Sequence, residues 1–291
     1  MVEAVEVLDG ETVGSTDMLR RLRWWIRRAI YAIPMPPDEP REWHGLDVPG
    51  RPLRIVRFGD CSWRETDLGH QTGTRPGYPL VLAELLAERG VAMQFTDVYV
   101  ASVAELPSDA EGLTRHLHLD GPPDVVILQP ALGHATRVLL PVNAEINRLR
   151  RLVAHWVGRA AGPLYAMLHP IARRFGRYAS PYPGPGGIDP FLSAVRSTWP
   201  NAHAVALGPP ARPRRNGWAD PEQLERVWAQ VAEHARAFDV DTLDVRDGVE
   251  ATAQRLGDAA VFGANACDLR RPGHEAVGHE VLAWLAQERL V

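Results

Sequence analysis

From Leu53 to the end of the chain, short apolar runs of strand length alternate with segments of helical periodicity, a pattern that demands a parallel sheet covered by helices on both faces. Leu53–Phe58 is the first such run and Ala92–Val98 the second. Asp124–Gln129, introduced by the turn Gly121-Pro122-Pro123, is uninterrupted and suits a central strand. His203–Leu207, closed by Gly208-Pro209-Pro210, and Thr242–Val245 complete the set. Between them the spacing predicts helices over Tyr78–Glu88, ended near Gly90, then Asn143–Val157, Phe191–Trp199 and Pro221–Ala237. A short helix near Val249 and a last one from Gly273 to Glu288 finish a three-layer α/β/α series.

Residues 1–52 follow another pattern. Ser15 or Thr16 caps a helix over Ser15–Ile33 with Leu19, Leu22, Ile26, Ala29, Ile30 and Ile33 on one side and Arg20, Arg21, Arg27 and Arg28 on the other. The favoured reading is a helix laid against the domain with a solvated arginine face. The sharper one is docking on an anionic membrane surface or an acidic carrier protein. Pro34–Pro52 is then an extended strap, and residues 53–291 form the α/β domain, with a helical and loop insertion around 143–187 that ends in the irregular Ser180–Gly187.

The 36 acidic residues outnumber the 32 basic ones, all of them arginine, for a net charge of −4, which argues against nucleic acid as a partner. Two cysteines, Cys61 and Cys267, are too few for a disulfide scaffold and suit a reducing compartment. Met1–Asp9 is acidic and lacks the order of a signal peptide, and no apolar run is long enough to span a bilayer, so the expected location is cytoplasmic. No spacing points to a metal or another cofactor, and none is expected.

In an open parallel sheet, ligands collect beyond the carboxyl ends of the strands. Immediately after the first strand stands Gly59-Asp60-Cys61-Ser62-Trp63. A small residue followed by a nucleophile on a tight strand-to-helix turn exposes that side chain and aims backbone N–H groups at it, which makes Cys61 the candidate nucleophile. A structural reading makes Cys61 a small buried residue instead. Ser62 is a weaker candidate, because a shift of one residue on a tight turn points it elsewhere.

Phe58-Gly59-Asp60-Cys61, a variable loop, then Gly77-Tyr78-Pro79 leading into Leu82–Leu86 resembles the opening block of the SGNH (GDSL-type) hydrolases, where the family reads Gly-Asp-Ser. Phe191–Pro200 followed by Ala204–Pro210, and the closing segment Gly278–Ala283, also resemble that family. The likeness runs from Leu53 to the C-terminus. It implies the flavodoxin-like SGNH hydrolase fold and acyl chemistry on an ester or thioester.

The departures fall on the residues that give the family its name. Cys61 replaces the serine. The block that supplies a glycine amide to the oxyanion hole is represented by Val100–Val103, including Ser102, and a backbone N–H does not need glycine. The Gly-x-Asn-Asp block reads Gly133-His134-Ala135-Thr136, so the asparagine amide is missing and the adjacent His134 is the available substitute. The last block, Asp-x-x-His-Pro in the family, reads Asp268-Leu269-Arg270-Arg271-Pro272. Anchored on Pro272, it puts Arg271 at the base position, and an arginine accepts no proton near neutrality. Anchored on Gly278, it brings His274 within one residue of that position, and His274 is preferred. Arg271 or His274 could also hold a thiolate at Cys61 electrostatically.

The leading expectation is an acyl hydrolase or acyltransferase. Cys61 is its nucleophile, His274 its base and Asp268 the partner of that base. Gly59, Asp60, Ser102, Gly133, His134 and Arg271 line the oxyanion and substrate site. The substrate is a small-molecule or carrier-bound acyl group. The rival is a catalytically silent member of the fold that serves as a binding or scaffolding module. Cys267, His70, His116 and His118 read as structural or surface residues, and Trp24, Trp25 and Trp63 as packing residues.

Overall fold

The computed structural model describes residues 48–59, 77–98, 100, 106–114, 121–129, 171, 174–175, 187–210, 220–263 and 269–291 in full, and the backbone alone at 41–44, 99, 137–138 and 177–178. All of these belong to one unit made of Pro37–Pro141 and Leu168–Val291. The helices expected over Ser15–Ile33 and Asn143–Val157, with Arg20, Arg21, Arg27 and Arg28, lie outside the described residues.

Strands β1 (Arg41–His44), β2 (Leu53–Gly59), β3 (Met93–Tyr99), β4 (Val125–Leu128), β7 (His203–Leu207) and β8 (Asp241–Leu243) form one sheet in the order β1-β3-β2-β4-β7-β8. From β3 to β8 all neighbours are parallel, and only β1 joins antiparallel, at the edge beside β3. That edge strand falls inside the proline-rich strap, whose extended backbone suits pairing at a sheet margin. A separate two-stranded antiparallel pair, β5 (Arg137–Val138) with β6 (Arg177–Tyr178), brackets most of the expected insertion.

The described helices are α1 (Gly77–Glu88), α2 (Ala110–Thr114), α3 (Asp189–Thr198), α4 (Pro221–Ala237), α5 (Arg246–Leu256), α6 (Asp258–Val261) and α7 (Arg271–Gln287). Alternation along each strand assigns them to faces. Leu53 and Ile55 of β2, with Phe95 and Ile127 of its neighbours, pack on Leu82, Leu86, Val249, Val277 and Val281 from α1, α5 and α7. Val56, Phe58, Val126 and Leu128 pack on Leu113, Phe191, Val195, Val227 and Val231 from α2, α3 and α4. Burial on both faces explains why Val125–Leu128, all four buried, reads as a solid apolar run.

Local signals place the ends of these elements. Asp220 caps α4 by accepting from the Gln223 amide at 3.1 Å, with Pro221 in the first turn. Gly90, at φ +73°, follows the end of α1 in a conformation that L side chains avoid. At Gly278 a Cβ would lie 2.8 Å from Cγ1 of Val81, so the glycine is what lets α7 approach α1 so closely. Among the described residues no helix is long and apolar enough to cross a membrane.

Candidate active site at the carboxyl edge of the sheet

The chain enters the parallel sheet at β2, steps outward to β3, then crosses back to β4 on the opposite side. The connections therefore diverge between β2 and β4, and the crevice beyond the carboxyl ends of those two strands is where such a sheet holds its ligand. Gly59 ends β2 at that point.

The strand end is held from both sides. The Val100 amide donates to the Gly59 carbonyl at 2.7 Å, and the Gln129 amide donates to the Phe58 carbonyl at 2.8 Å. The Val100 N–H is thereby committed to the backbone ladder. Glycine at 59 is a steric requirement: a Cβ there would lie 2.8 Å from Cβ of Gln129 and 3.1 Å from both Nη1 of Arg57 and Oε1 of Gln129.

Beneath this strand end lies a buried polar row. Arg57, Asp97 and Gln129 are 1%, 2% and 4% exposed and come from β2, β3 and the end of β4. Arg57 Nε donates to Asp97 Oδ1 at 2.8 Å, Nη2 donates to the same oxygen, and Nη1 donates to Gln129 Oε1. Tyr78, at the start of α1 and fully buried, stands close enough to feel both charges. Burial pushes its phenol above the ordinary value, Arg57 opposes that rise, and Asp97 adds to it. The sequence reading missed this row. Its signal was present, since Arg57, Asp97 and Gln129 all interrupt apolar runs near the ends of three adjacent strands.

Arg271 is the first residue of α7 and Pro272 follows it in the opening turn. The Arg271 guanidinium donates to Glu84 on α1 and to Glu275 at 3.1 Å. Burial alone would lower its pKa, but these hydrogen bonds and the two carboxylate charges outweigh burial and raise it, so the group stays cationic. His274 lies in the same first turn and is fully buried, with its amide bonded to the Arg270 carbonyl at 3.1 Å. Asp60, Cys61, Ser62, Ser102, Gly133, His134, Ala135, Cys267 and Asp268 lie outside the described residues, as do His70, His116, His118 and Trp63.

No family model matches the chain, and no curated protein matches it in sequence. Among solved structures it is similar to a GDSL-like lipase from Parabacteroides merdae, at 12% identity over 82% of this chain and 96% of that one, with a TM-score of 0.49. It is similar to a catalytic mutant of an acetylxylan esterase from Geobacillus stearothermophilus, at 13% identity over 82% and 94% of the two chains and a TM-score of 0.47. It is also similar to an extracellular lipase from Streptomyces rimosus, at 15% identity over 79% and 99% and a TM-score of 0.47.

Proposed function

We propose that this chain is an acyl-transfer enzyme that cleaves an ester or thioester through an S-acyl intermediate on Cys61. The observation that carries the reading is the position of Gly59, which closes β2 at the point where the sheet connections diverge. Cys61 follows Gly59 by two positions in the sequence.

The Cys61 thiolate attacks the acyl carbonyl, and amides of the turn and of the loop after Val100 receive the oxyanion, with Gly133 and His134 beside them. His274, oriented by Asp268, takes the thiol proton and returns it to the leaving alcohol or thiol. Water accepting the acyl group completes a hydrolysis; another nucleophile completes a transfer. A thiol suits this site better than serine would, because a thiolate needs less help from a base.

A second reading, a binding module without catalysis, draws support from the opening of α7, where Arg271 and Pro272 stand with the arginine tied to Glu84 and Glu275. Steady-state hydrolysis of short-chain aryl esters and thioesters separates the two. The enzymatic reading expects Cys61→Ala to lower kcat by about a hundredfold or more. Turnover absent from the wild-type protein on every ester tried supports the binding module, whereas turnover unchanged in that variant removes Cys61 as the nucleophile.

A further inference from the structure

Among the described residues three large apolar side chains are exposed, Ile171, Phe175 and Leu256, at 46%, 71% and 44%. Single exposed apolar residues are ordinary on a protein surface. Ile171 and Phe175 are not single: both are helical and four positions apart, the spacing that sets two side chains next to each other on one helix face. The guanidinium of Arg174, also exposed, stands over the Phe175 ring, with Cζ 5.6 Å from the ring centroid. An aromatic ring and an aliphatic chain thus reach solvent side by side, with a cation against the ring.

The charge along this part of the chain has one sign. In a protein of net charge −4, residues 146–188 hold seven arginines and no acidic residue. Arg173, Arg174 and Arg177 of that stretch fall between Ile171 and the start of β6. Among the described residues no carboxylate pairs with the Arg174 guanidinium, so its charge faces outward undiminished.

We infer that this turn is a docking surface for an anionic phospholipid membrane, with Phe175 and Ile171 entering the interfacial layer and Arg174 against the headgroup phosphates. Aromatic rings favour the headgroup level of a bilayer, and arginines beside them gain from its negative surface potential. A protein partner fits less well, because a stable protein interface buries about 800 Å² on each side, well beyond what two apolar side chains offer. A membrane asks only for shallow insertion and charge. The surface is built from Ile171, Arg174 and Phe175, and its role holds whether or not the chain turns over esters.

Co-sedimentation of the full chain with lipid vesicles tests it. Phosphatidylcholine vesicles containing about one third phosphatidylserine should retain the wild-type protein, less so as sodium chloride is raised, and pure phosphatidylcholine should retain clearly less. Phe175→Ser should lower the partition coefficient about tenfold and Arg174→Gln about fivefold, whereas Phe175→Trp should keep it. Arg255→Gln combined with Leu256→Ser removes another adjacent arginine and exposed apolar side chain, at the end of α5, and should change nothing. All four substituted positions are exposed, so thermal midpoints near wild type separate lost docking from lost fold.

Three results overturn the inference: no retention by the anionic vesicles, equal retention by neutral ones, or retention that Phe175→Ser and Arg174→Gln both leave intact. A protein that ignores vesicles but is held by immobilised polyglutamate, and released by Arg174→Gln, uses this surface for an acidic protein, and the inference fails there too.

Discussion

Arg57 and Asp97 form an ion pair inside the protein, Nε to Oδ1 at 2.8 Å, between residues that face each other in register on the parallel strands β2 and β3. Such a pair offsets its own desolvation only while both partners remain. Asp97→Ala leaves an uncompensated buried cation and is expected to cost about 3–5 kcal/mol of stability. The double variant Arg57→Met with Asp97→Leu removes both charges and is expected to cost clearly less. Urea unfolding monitored by tryptophan fluorescence ranks the two, and a double variant no more stable than Asp97→Ala contradicts the account.

Gly278→Ala sets two effects against each other. Alanine gains about 1 kcal/mol of helix propensity over glycine. The new Cβ, however, would lie 2.8 Å from Val81 Cγ1 and 3.1 Å from Val81 Cβ, and overpacking of this kind costs about 1–3 kcal/mol. The expected net result is destabilisation. A double-mutant cycle with Val81→Ala tests the cause, because Gly278→Ala becomes neutral or stabilising once the valine methyls are gone.

Tyr78 makes stability fall at alkaline pH. Its phenol keeps its proton in the folded protein to a higher pH than in the unfolded chain, because burial disfavours the phenolate. The stabilisation is complete below the unfolded value of about 10 and is lost as pH rises above it, since the unfolded state then binds fewer protons. Urea midpoints measured from neutrality upward should decline more steeply above that value in the wild type than in Tyr78→Phe. Parallel curves would show that another group is responsible.

His274→Gln distinguishes a base from a packing residue. As general base, His274 contributes about a hundredfold to ten-thousandfold to kcat, with KM little changed. A buried histidine that only packs would change the unfolding midpoint and leave kcat per folded molecule near wild type.

The parallel sheet was legible because it is written in long-period signals. Leu53–Phe58 lies within β2, His203–Leu207 matches β7, and Asp124–Gln129 overruns β4 by one residue at each end. Proline at the starts of α3, α4 and α7 marks their first turns. Shorter elements escaped because their stabilisation is tertiary. β1 has four residues and exists through pairing with β3, α2 has five, and α6 four. At the site, Gly59 could be read from its place before Cys61. Arg57, Asp97 and Gln129 could not be joined without the register, because nothing local shows that residues 40 and 72 positions apart share one hydrogen-bonded row.

The central claim is that Cys61 carries the acyl group, and intact-mass spectrometry after brief exposure to p-nitrophenyl acetate tests it most directly. One acetyl adduct on the wild-type protein, mapped to the Cys61 peptide, decaying as product forms and missing from Cys61→Ala, is the expected result. Turnover of the ester with no adduct at Cys61, or an adduct that survives Cys61→Ala unchanged, contradicts the account.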